Sequence, residues 1–322
     1  MQKPFAVILY YCFAAVDDVI ALQRQQMELC VSLGLLGRII VASEGINGTL
    51  SGTVKECEAY MAILHNDNRF ASTDFKIDYG YGHAFQKINV RIKNEIVHAD
   101  LHSVKPYEQT STHLTPAQFK ALKDQPDVVL LDVRSNYEHN LGKFKGAQTL
   151  DIDNFREFKD KLPELEHLKS KKVITYCTGG IKCEKASAYL LGNGFENVYQ
   201  LLGGIIRYGI EEQGEDFDGK CYVFDKRIAI DVNTVNPTMV ATCKICSNHT
   251  NHMVNCANPA CNKHVTICPD CLLELKGACS PDCLNHPEKR DYNPLGYFAR
   301  TPNVYDPTNA LRNLSAISAP IY

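Results

Sequence analysis

The chain has 322 residues, of which 45% are apolar and 22% are charged. This balance excludes a disordered protein, and the length is sufficient for two or three globular domains. The net charge of −3 excludes a strong overall attraction to nucleic acid, so any RNA binding would depend on local basic patches. The longest apolar run, residues 5–16, is too short to span a bilayer, and we interpret it as a β-strand rather than an export signal.

The first hundred residues alternate between strand-like and helix-like segments. Apolar residues at helical spacing follow a first β-type run, and shorter β-type runs flank a second helix. The order strand–helix–strand–strand–helix–strand predicts a ferredoxin-like α/β domain over residues 1–100. The predicted elements are a strand over 5–13, a helix over 19–36 that Gly37 ends, a strand pair over 38–42 and 47–51 with Gly48 as a candidate bulge, a helix over 54–65, and a strand pair within 75–97.

Residues 101–112 are polar, contain Pro106 and are predicted to be an interdomain linker. Histidines and an aspartate in and beside it match, by residue type, the two-histidine, one-carboxylate triad that holds iron in oxygenases. We favour solvated linker polarity as the interpretation of these residues, which are His98, Asp100, His102 and His113. In the preceding domain, three polar residues are candidates for substrate contact, with turn formation as the alternative: Glu44, Asn47 and Asp78.

The central part of the chain contains short apolar runs that each lead into a loop or a helical pattern. This pattern predicts a doubly wound parallel sheet over residues 113–230. Cys177 follows the apolar run 173–176, at the strand end where reactive groups gather in such sheets. Backbone N–H groups of the loop and the N-terminus of the next helix favour the thiolate, which is the reactive form. Cys177 is therefore the candidate nucleophile.

Eight of the fourteen cysteines fall between residues 243 and 283, in four pairs with two to four residues inside each pair. Such pairs are typical of tetrahedral zinc, and four of them predict up to two structural zinc sites with no open position. The first pair could share an ion with the third and the second with the fourth, or the pairing could be sequential. Disulfides are the other alternative, which a cytoplasmic location disfavours. The predicted ligands, in a cysteine-rich module over residues 231–286, are Cys243, Cys246, Cys256, Cys261, Cys268, Cys271, Cys279 and Cys283. Residues 287–322 are predicted to be an irregular tail.

Four motifs of the central region together resemble a rhodanese domain. They are LLDVRxxxE ending at Glu138, GxxxGA starting at Gly142, the six-residue loop 177–182, and GFxNVYxLxGG starting at Gly194. Phosphatases on the same scaffold have a longer loop that ends in arginine, so the length here is that of sulfur-handling members. In this resemblance Asp132 and Arg134 brace the loop.

The run CTGGIKCEKA that starts at Cys177 is similar to the rhodanese-domain tRNA uridine hydroxylase family. The motifs SEGINGTLSG from Ser43 and GKCYVFDKR from Gly219 support this resemblance, which covers about the first 285 residues. It implies a cytoplasmic enzyme that hydroxylates C5 of the wobble uridine, position 34, of tRNA. Molecular oxygen is the implied co-substrate and Cys177 the essential residue. The chain departs from the family at Lys182, where arginine is usual, so a planar fork is replaced by a point charge.

Other parts of the site are less determined by the sequence. The loop comprises Cys177, Thr178, Gly179, Gly180, Ile181 and Lys182, and Cys183 directly after it is either a resolving thiol or a small buried residue. Basic residues predicted to contact tRNA phosphates, with solvated surface as the alternative, are Lys182, Lys185, Arg207, Lys226 and Arg227. No glycine-rich dinucleotide loop is present, so we expect no nucleotide cofactor. A sulfurtransferase with a persulfide on Cys177 is the main rival function, and a non-catalytic binding module is the third.

Overall fold

The computed structural model describes residues 3–292. Within this part of the chain, no helix has both the length and the apolar character that crossing a membrane requires. Most of the predicted irregular tail, residues 293–322, lies outside the described residues.

The N-terminal domain has the predicted ferredoxin-like order of its first four strands and two helices. Its five-stranded sheet has the order β4-β1-β3-β2-β5, in which β5 is parallel to β2 and the other pairs are antiparallel. The first strand and the second helix have the predicted bounds. The elements are β1 (Phe5–Phe13), α1 (Val19–Ser32), β2 (Leu36–Ala42), β3 (Gly45–Thr53), α2 (Val54–His65), β4 (Lys76–Gly80) and β5 (Ile88–Ile92).

Three local predictions in this domain are wrong. Helix α1 ends at Ser32, and Gly34, with φ +69°, turns the chain there, whereas Gly37 lies inside β2. Strands β4 and β5 do not pair with each other, because they lie at opposite edges of the sheet. Gly48 forms no bulge, since it pairs in register with both neighbouring strands; a Cβ there would lie 2.4 Å from the ring of Tyr10.

The central domain contains the predicted doubly wound parallel sheet, with strand order β6-β11-β10-β7-β9. Alternation along the strands sends Leu131 and Val173 to one buried core, with α6, and Leu130 and Ile174 to the other, with α3 and α7. Its elements are β6 (Thr112–Leu114), α3 (Pro116–Leu122), β7 (Val128–Asp132), α4 (Asn136–His139), β8 (Gly142–Phe144), β9 (Gln148–Thr149), α5 (Leu162–Leu165), β10 (Lys172–Tyr176), α6 (Ile181–Gly192), β11 (Asn197–Leu201), α7 (Gly204–Glu212) and the 3-10 helices Phe155–Lys161 and Glu166–Leu168.

The C-terminal region is built from short elements. Strand β12 pairs with β8 of the central domain, and two further antiparallel pairs follow it. A small cluster of buried cysteines with Ile267 and Leu272 forms the core of the last module. The elements are β12 (Phe217–Gly219), β13 (Cys221–Tyr222), β14 (Ala229–Ile230), β15 (Met253–Asn255), β16 (His264–Thr266), α8 (Pro269–Glu274) and α9 (Pro281–Leu284).

Lys185, predicted to contact tRNA, instead lies buried where the first two domains meet. Its ammonium is 2.6 Å from Glu44 Oε2 and 3.1 Å from Glu95 Oε1, and it also donates to two backbone carbonyls. The side chain is fully buried, so no phosphate can reach it and the prediction is wrong at this position. The buried ammonium satisfies carboxylates that would otherwise be left without a counter-charge.

We predict that Lys185→Met lowers the free energy of unfolding by about 3–5 kcal/mol, because removing one partner of a buried ion pair leaves the other charged. Urea denaturation at neutral pH measures the effect. Lys169→Met is the matched control: Lys169 is paired with Glu166 at an exposed position, and its loss should cost less than about 1 kcal/mol. Equal effects of the two substitutions would contradict the structural role of Lys185.

Candidate active site

Cys177 lies directly after β10, the middle strand of the parallel sheet. Two helix N-termini hold its loop. The amides of Ile205 and Ile206 in α7 donate to the carbonyls of Cys177 and Thr178, at 3.0 and 3.1 Å. On the other side, the Gly180 N–H at the start of α6 donates to Cys177 Sγ at 3.2 Å. The sulfur is therefore directed towards the positive end of a helix, as the sequence predicts.

Glycine is required where the two helix N-termini approach the loop. Gly180 has φ +100° and Gly204 has φ +64°, and both values lie in a backbone region that residues other than glycine rarely adopt. A Cβ on Gly204 would lie 2.4 Å from the Cys177 carbonyl oxygen. The close approach of α7 to the loop thus depends on the second glycine of the GG pair at 203–204.

The surroundings of Cys177 favour its thiolate. Burial opposes ionisation, but the Cys183 thiol, the charge of Lys182 and the backbone N–H groups of both residues lower the pKa of Cys177 to about 7. Burial, and then the neighbouring Cys177, raise the pKa of Cys183 well above its usual value. Cys183 is fully buried and so stays protonated as a donor to the Cys177 sulfur. A buried cysteine without such donors behaves in the opposite way, since burial raises the pKa of Cys30.

Lys182 is held beneath the loop rather than displayed to solvent. Its ammonium pairs with the buried carboxylate of Glu138 and lies 5.8 and 6.0 Å from the ring centroids of Phe155 and Phe224. Only 12% of the side chain is exposed. These contacts fix a positive charge near Cys177 and leave little of it for a phosphate group.

Asp132 and Arg134 form a fully buried bidentate ion pair beside the strand end that precedes Cys177. Arg134 Nε and Nη2 donate to the two Asp132 oxygens at 2.9 and 2.6 Å, and Nη2 also donates to the Gly142 carbonyl. The guanidinium lies 5.7 Å from the Tyr176 ring centroid, and the Tyr176 carbonyl accepts from the Val133 amide. Rigid support of the loop is the role that this arrangement favours.

Arg207 and Arg227, two other predicted phosphate contacts, each connect to the N-terminal domain. Arg207 pairs with Asp74 and with Glu211, whereas Arg227 pairs with Asp78 and Asp225. Both side chains remain partly exposed. Lys226 is exposed.

The candidate substrate contacts of the N-terminal domain also have internal partners. Glu44 Oε1 accepts from the Ile96 amide, and Asn47 donates to the Ile96 carbonyl at 2.8 Å. With Asp78 paired to Arg227, all three act in turns and domain contacts, which is the alternative that the sequence left open.

The sequence did not reveal that the N-terminal domain covers the active-site loop. Side chains of β1 lie against it, because a Cβ on Gly179 would be 2.8 Å from Leu9 and a Cβ on Gly180 would be 2.8 Å from the Tyr11 hydroxyl. That hydroxyl donates to Glu184 Oε1 at 3.0 Å. The apolar run 5–13 predicted a strand, but no pattern in it predicted a partner in another domain.

Glu184, in the first turn of α6, is buried and collects four donors. Tyr11 and His113 bond to Oε1, and Thr110 and Gln200 bond to Oε2. Burial works against the charged form, but His113 and the other donors keep the pKa of Glu184 below its usual value. The Glu184 carboxylate therefore connects the N-terminal domain and the segment before β6 to α6, the helix that follows the loop. His113, considered above as a possible iron ligand, instead bonds to this carboxylate.

Among residues 3–292, the groups that could hold a metal ion are two clusters of four thiols. The first and third pairs meet in one cluster, Cys243, Cys246, Cys268 and Cys271, and the second and fourth pairs meet in the other, Cys256, Cys261, Cys279 and Cys283. The sequence left two pairings of the cysteine pairs open, interleaved and sequential, and the structure has the interleaved pairing. Sulfur–sulfur distances of 3.6, 3.7 and 3.8 Å match the edge of about 3.8 Å expected for four sulfurs that are each about 2.3 Å from one ion.

The parallel sheet, the six-residue cysteine loop and the helix N-termini around it define a rhodanese-like domain. Family models match in the same order: the UPF0176 acylphosphatase-like domain over residues 5–96, the rhodanese-like domain over 115–209 and the rhodanase C-terminal domain over 218–284.

Several relatives that share one name, tRNA uridine(34) hydroxylase, match most of the chain. The tRNA uridine(34) hydroxylase of Cytophaga hutchinsonii is 56% identical over 306 residues, 95% of this chain and 98% of the relative. The proteins of that name from Bacillus mycoides and Staphylococcus saprophyticus are 45% and 42% identical, over 89% and 96% of this chain and 92% and 96% of their own lengths. The chain belongs to the tRNA uridine(34) hydroxylase family.

We predict that Cys177 titrates near pH 7, because its thiolate has N–H, S–H and ammonium partners. The ultraviolet thiolate absorbance of the wild type minus that of Cys177→Ser should rise with pH and reach half its change near that value. Removing the S–H donor with Cys183→Ala should move the half-point upward. Cys57→Ser, which alters a buried thiol of the N-terminal core, should leave it unchanged. A half-point at the ordinary thiol pKa of about 8.5 would contradict the proposed stabilisation.

Proposed function

We propose that this protein hydroxylates C5 of the wobble uridine, position 34, of tRNA, with Cys177 as the essential thiol and molecular oxygen as co-substrate. The observation that carries the proposal is a buried cysteine, in a loop held by two helix N-termini, in a chain of the tRNA uridine(34) hydroxylase family. Since tRNA is a cytoplasmic molecule, we place the enzyme in the cytoplasm.

Cys177 supplies the nucleophile for this chemistry. A thiolate that adds to C6 of the uracil ring forms an S–C6 bond and moves the C5–C6 electron pair onto C5 and the neighbouring carbonyl. C5 then becomes the electron-rich carbon and forms a C–O bond with one atom of molecular oxygen. The O–O bond breaks, and the other oxygen atom becomes water by taking two electrons and two protons from an external two-electron reductant. Elimination of the sulfur after loss of the C5 proton restores both the ring and the thiolate.

Access to Cys177 requires movement. The residue is 1% exposed, and β1 of the N-terminal domain covers the loop through Leu9 and Tyr11. A target base must leave the stack of the anticodon loop to enter a pocket. The partly exposed Arg207 and Arg227, together with exposed Lys226, are the cations available to hold the phosphates around it.

The proposal is tested by mass spectrometry of tRNA nucleosides from a deletion strain that carries wild-type protein, Cys177→Ser or the control Cys57→Ser. We expect nucleosides derived from 5-hydroxyuridine to be restored by wild type and by the control, and to be absent with Cys177→Ser. Normal hydroxylation with depleted thiolated nucleosides would instead support the rival, a sulfurtransferase with a persulfide on Cys177. No change in any nucleoside would overturn both.

We further propose that each cluster of four thiols holds one structural zinc ion. Four cysteines leave no position for water or substrate, and amides support the sulfurs: Ile245 N–H lies 3.5 Å from Cys243 Sγ and Cys279 N–H lies 3.4 Å from Cys256 Sγ. The module has a small apolar core, so metal binding would supply much of its folding free energy.

Elemental analysis of the purified protein should therefore find about two zinc ions per chain. Cys246→Ser and Cys261→Ser, one from each cluster, should each lower the content to about one, whereas Cys57→Ser should not change it. A strong chelator should lower the unfolding temperature. Disulfides between these cysteines in protein purified with its thiols protected, or the absence of zinc, would refute the assignment.

A further inference from the structure

Lys76, at the start of β4 in the N-terminal domain, is a lysine with only 4% of its surface exposed. Its ammonium lies 2.9 Å from Asp74 Oδ2 and 4.8 Å from the centroid of the Tyr11 ring. Burying an ammonium is costly unless it has counter-charges. Asp74 provides only part of the compensation, because its side chain is 38% exposed and is shared with Arg207.

Lys76 is connected to the active-site loop through side chains of β1. Lys76 lies over the ring of Tyr11, and the hydroxyl of Tyr11 lies next to Gly180. Leu9, on the same strand as Tyr11, lies next to Gly179. Those two glycines follow Cys177 by two and three positions. The ammonium therefore lies in the layer of the N-terminal domain that covers the loop carrying Cys177.

The charges around Lys76 are consistent with an interaction between its ammonium and the Cys177 thiolate. Burial lowers the pKa of Lys76, while Asp74 and the Cys177 thiolate act in the opposite direction. A Coulomb interaction acts equally on both partners, so an ammonium that the thiolate stabilises must in turn stabilise the thiolate. The groups that face either member of this pair are Tyr11 on β1, Asp74 before β4, His113 on β6, Lys182 and Cys183 on α6, and Arg207 on α7.

We propose that Lys76 is a positioning residue that the N-terminal domain contributes to the active site, where its ammonium stabilises the thiolate of Cys177. Lys182 already forms a buried ion pair with Glu138, so a second cation, supplied by the N-terminal domain, increases the positive potential at the sulfur. Full reactivity of Cys177 then requires the N-terminal domain to be in place over the rhodanese-like domain. The proposal rests on the proposed function only in taking Cys177 as the working thiol.

The test is a thiolate titration of full-length Lys76→Met, Lys76→Arg and the exposed control Lys87→Met, each compared with its Cys177→Ser partner. We expect Lys76→Met to move the half-point upward by about half a pH unit to one unit. Lys76→Arg, which keeps the charge, and Lys87→Met should remain within about 0.2 unit of wild type. An unchanged half-point in folded Lys76→Met would overturn the proposal, because a purely structural lysine would affect stability alone.

Lys76→Gln is a second neutral variant, whose polar end can still hydrogen-bond to Asp74. The half-point of Cys177 should move upward here as well, because the positive charge is lost. An unchanged half-point in folded Lys76→Gln would contradict the proposal even if Lys76→Met fails to fold.

An assay of tRNA hydroxylation distinguishes the proposed function from the proposed role of Lys76. If the wild type hydroxylates tRNA, Lys76→Met should lose several-fold in kcat at neutral pH and recover as the pH rises, whereas Lys76→Arg should follow the wild type. A tRNA that the wild type leaves unmodified would refute the proposed function, but the titration would still decide the role of Lys76.

Discussion

The candidate active site is arranged around Cys177, whose pKa is lowered to about 7 at a position that is almost completely closed to water. Burial alone raises the pKa of a thiol, as it does for Cys30, so the thiolate of Cys177 needs donors and cations within a few ångströms. The chain supplies them from the α6 N-terminus, from the Cys183 thiol and from Lys182. The groups around Cys177 in turn depend on other residues for their positions. Lys182 requires the buried Glu138, and the close approach of α7 requires glycine at Gly204.

The same constraint explains why the first two domains are joined by charged contacts. A carboxylate of the N-terminal domain meets a cation of the rhodanese-like domain at Glu44 with Lys185, and again at Asp74 with Arg207. The Tyr11 hydroxyl adds a hydrogen bond to buried Glu184. Each of these contacts brings a carboxylate of one domain to a cation of the other, so both restrict the relative position of the two domains. Paired charges fix the placement of β1 over the loop, on which the environment of Cys177 depends.

The sequence predicted the elements better than the partners. The bounds of β1 and α2 and the position of Cys177 at a strand end were predictable, because periodicity and loop motifs are local properties. Lys185 was wrongly predicted as a phosphate contact, since the sequence shows a basic residue but not the buried carboxylates that pair with it. Strands β4 and β5 were predicted to pair because they are adjacent in the chain, yet they lie at opposite sheet edges. Closely spaced cysteine pairs restricted the thiol clusters to a few arrangements, and only the fold selected the interleaved one.

Lysine at position 182 differs from the arginine usual in the family, and the difference is visible in its partner. Lys182 and the Ser135 amide both donate to Glu138 Oε2, while Oε1 is buried and has no hydrogen-bond partner among the described residues. A guanidinium fork can engage both oxygens of a carboxylate, whereas an ammonium acts as a point charge. Lysine therefore keeps the positive charge that lowers the pKa of Cys177 but leaves a carboxylate oxygen beside the loop able to accept a further donor.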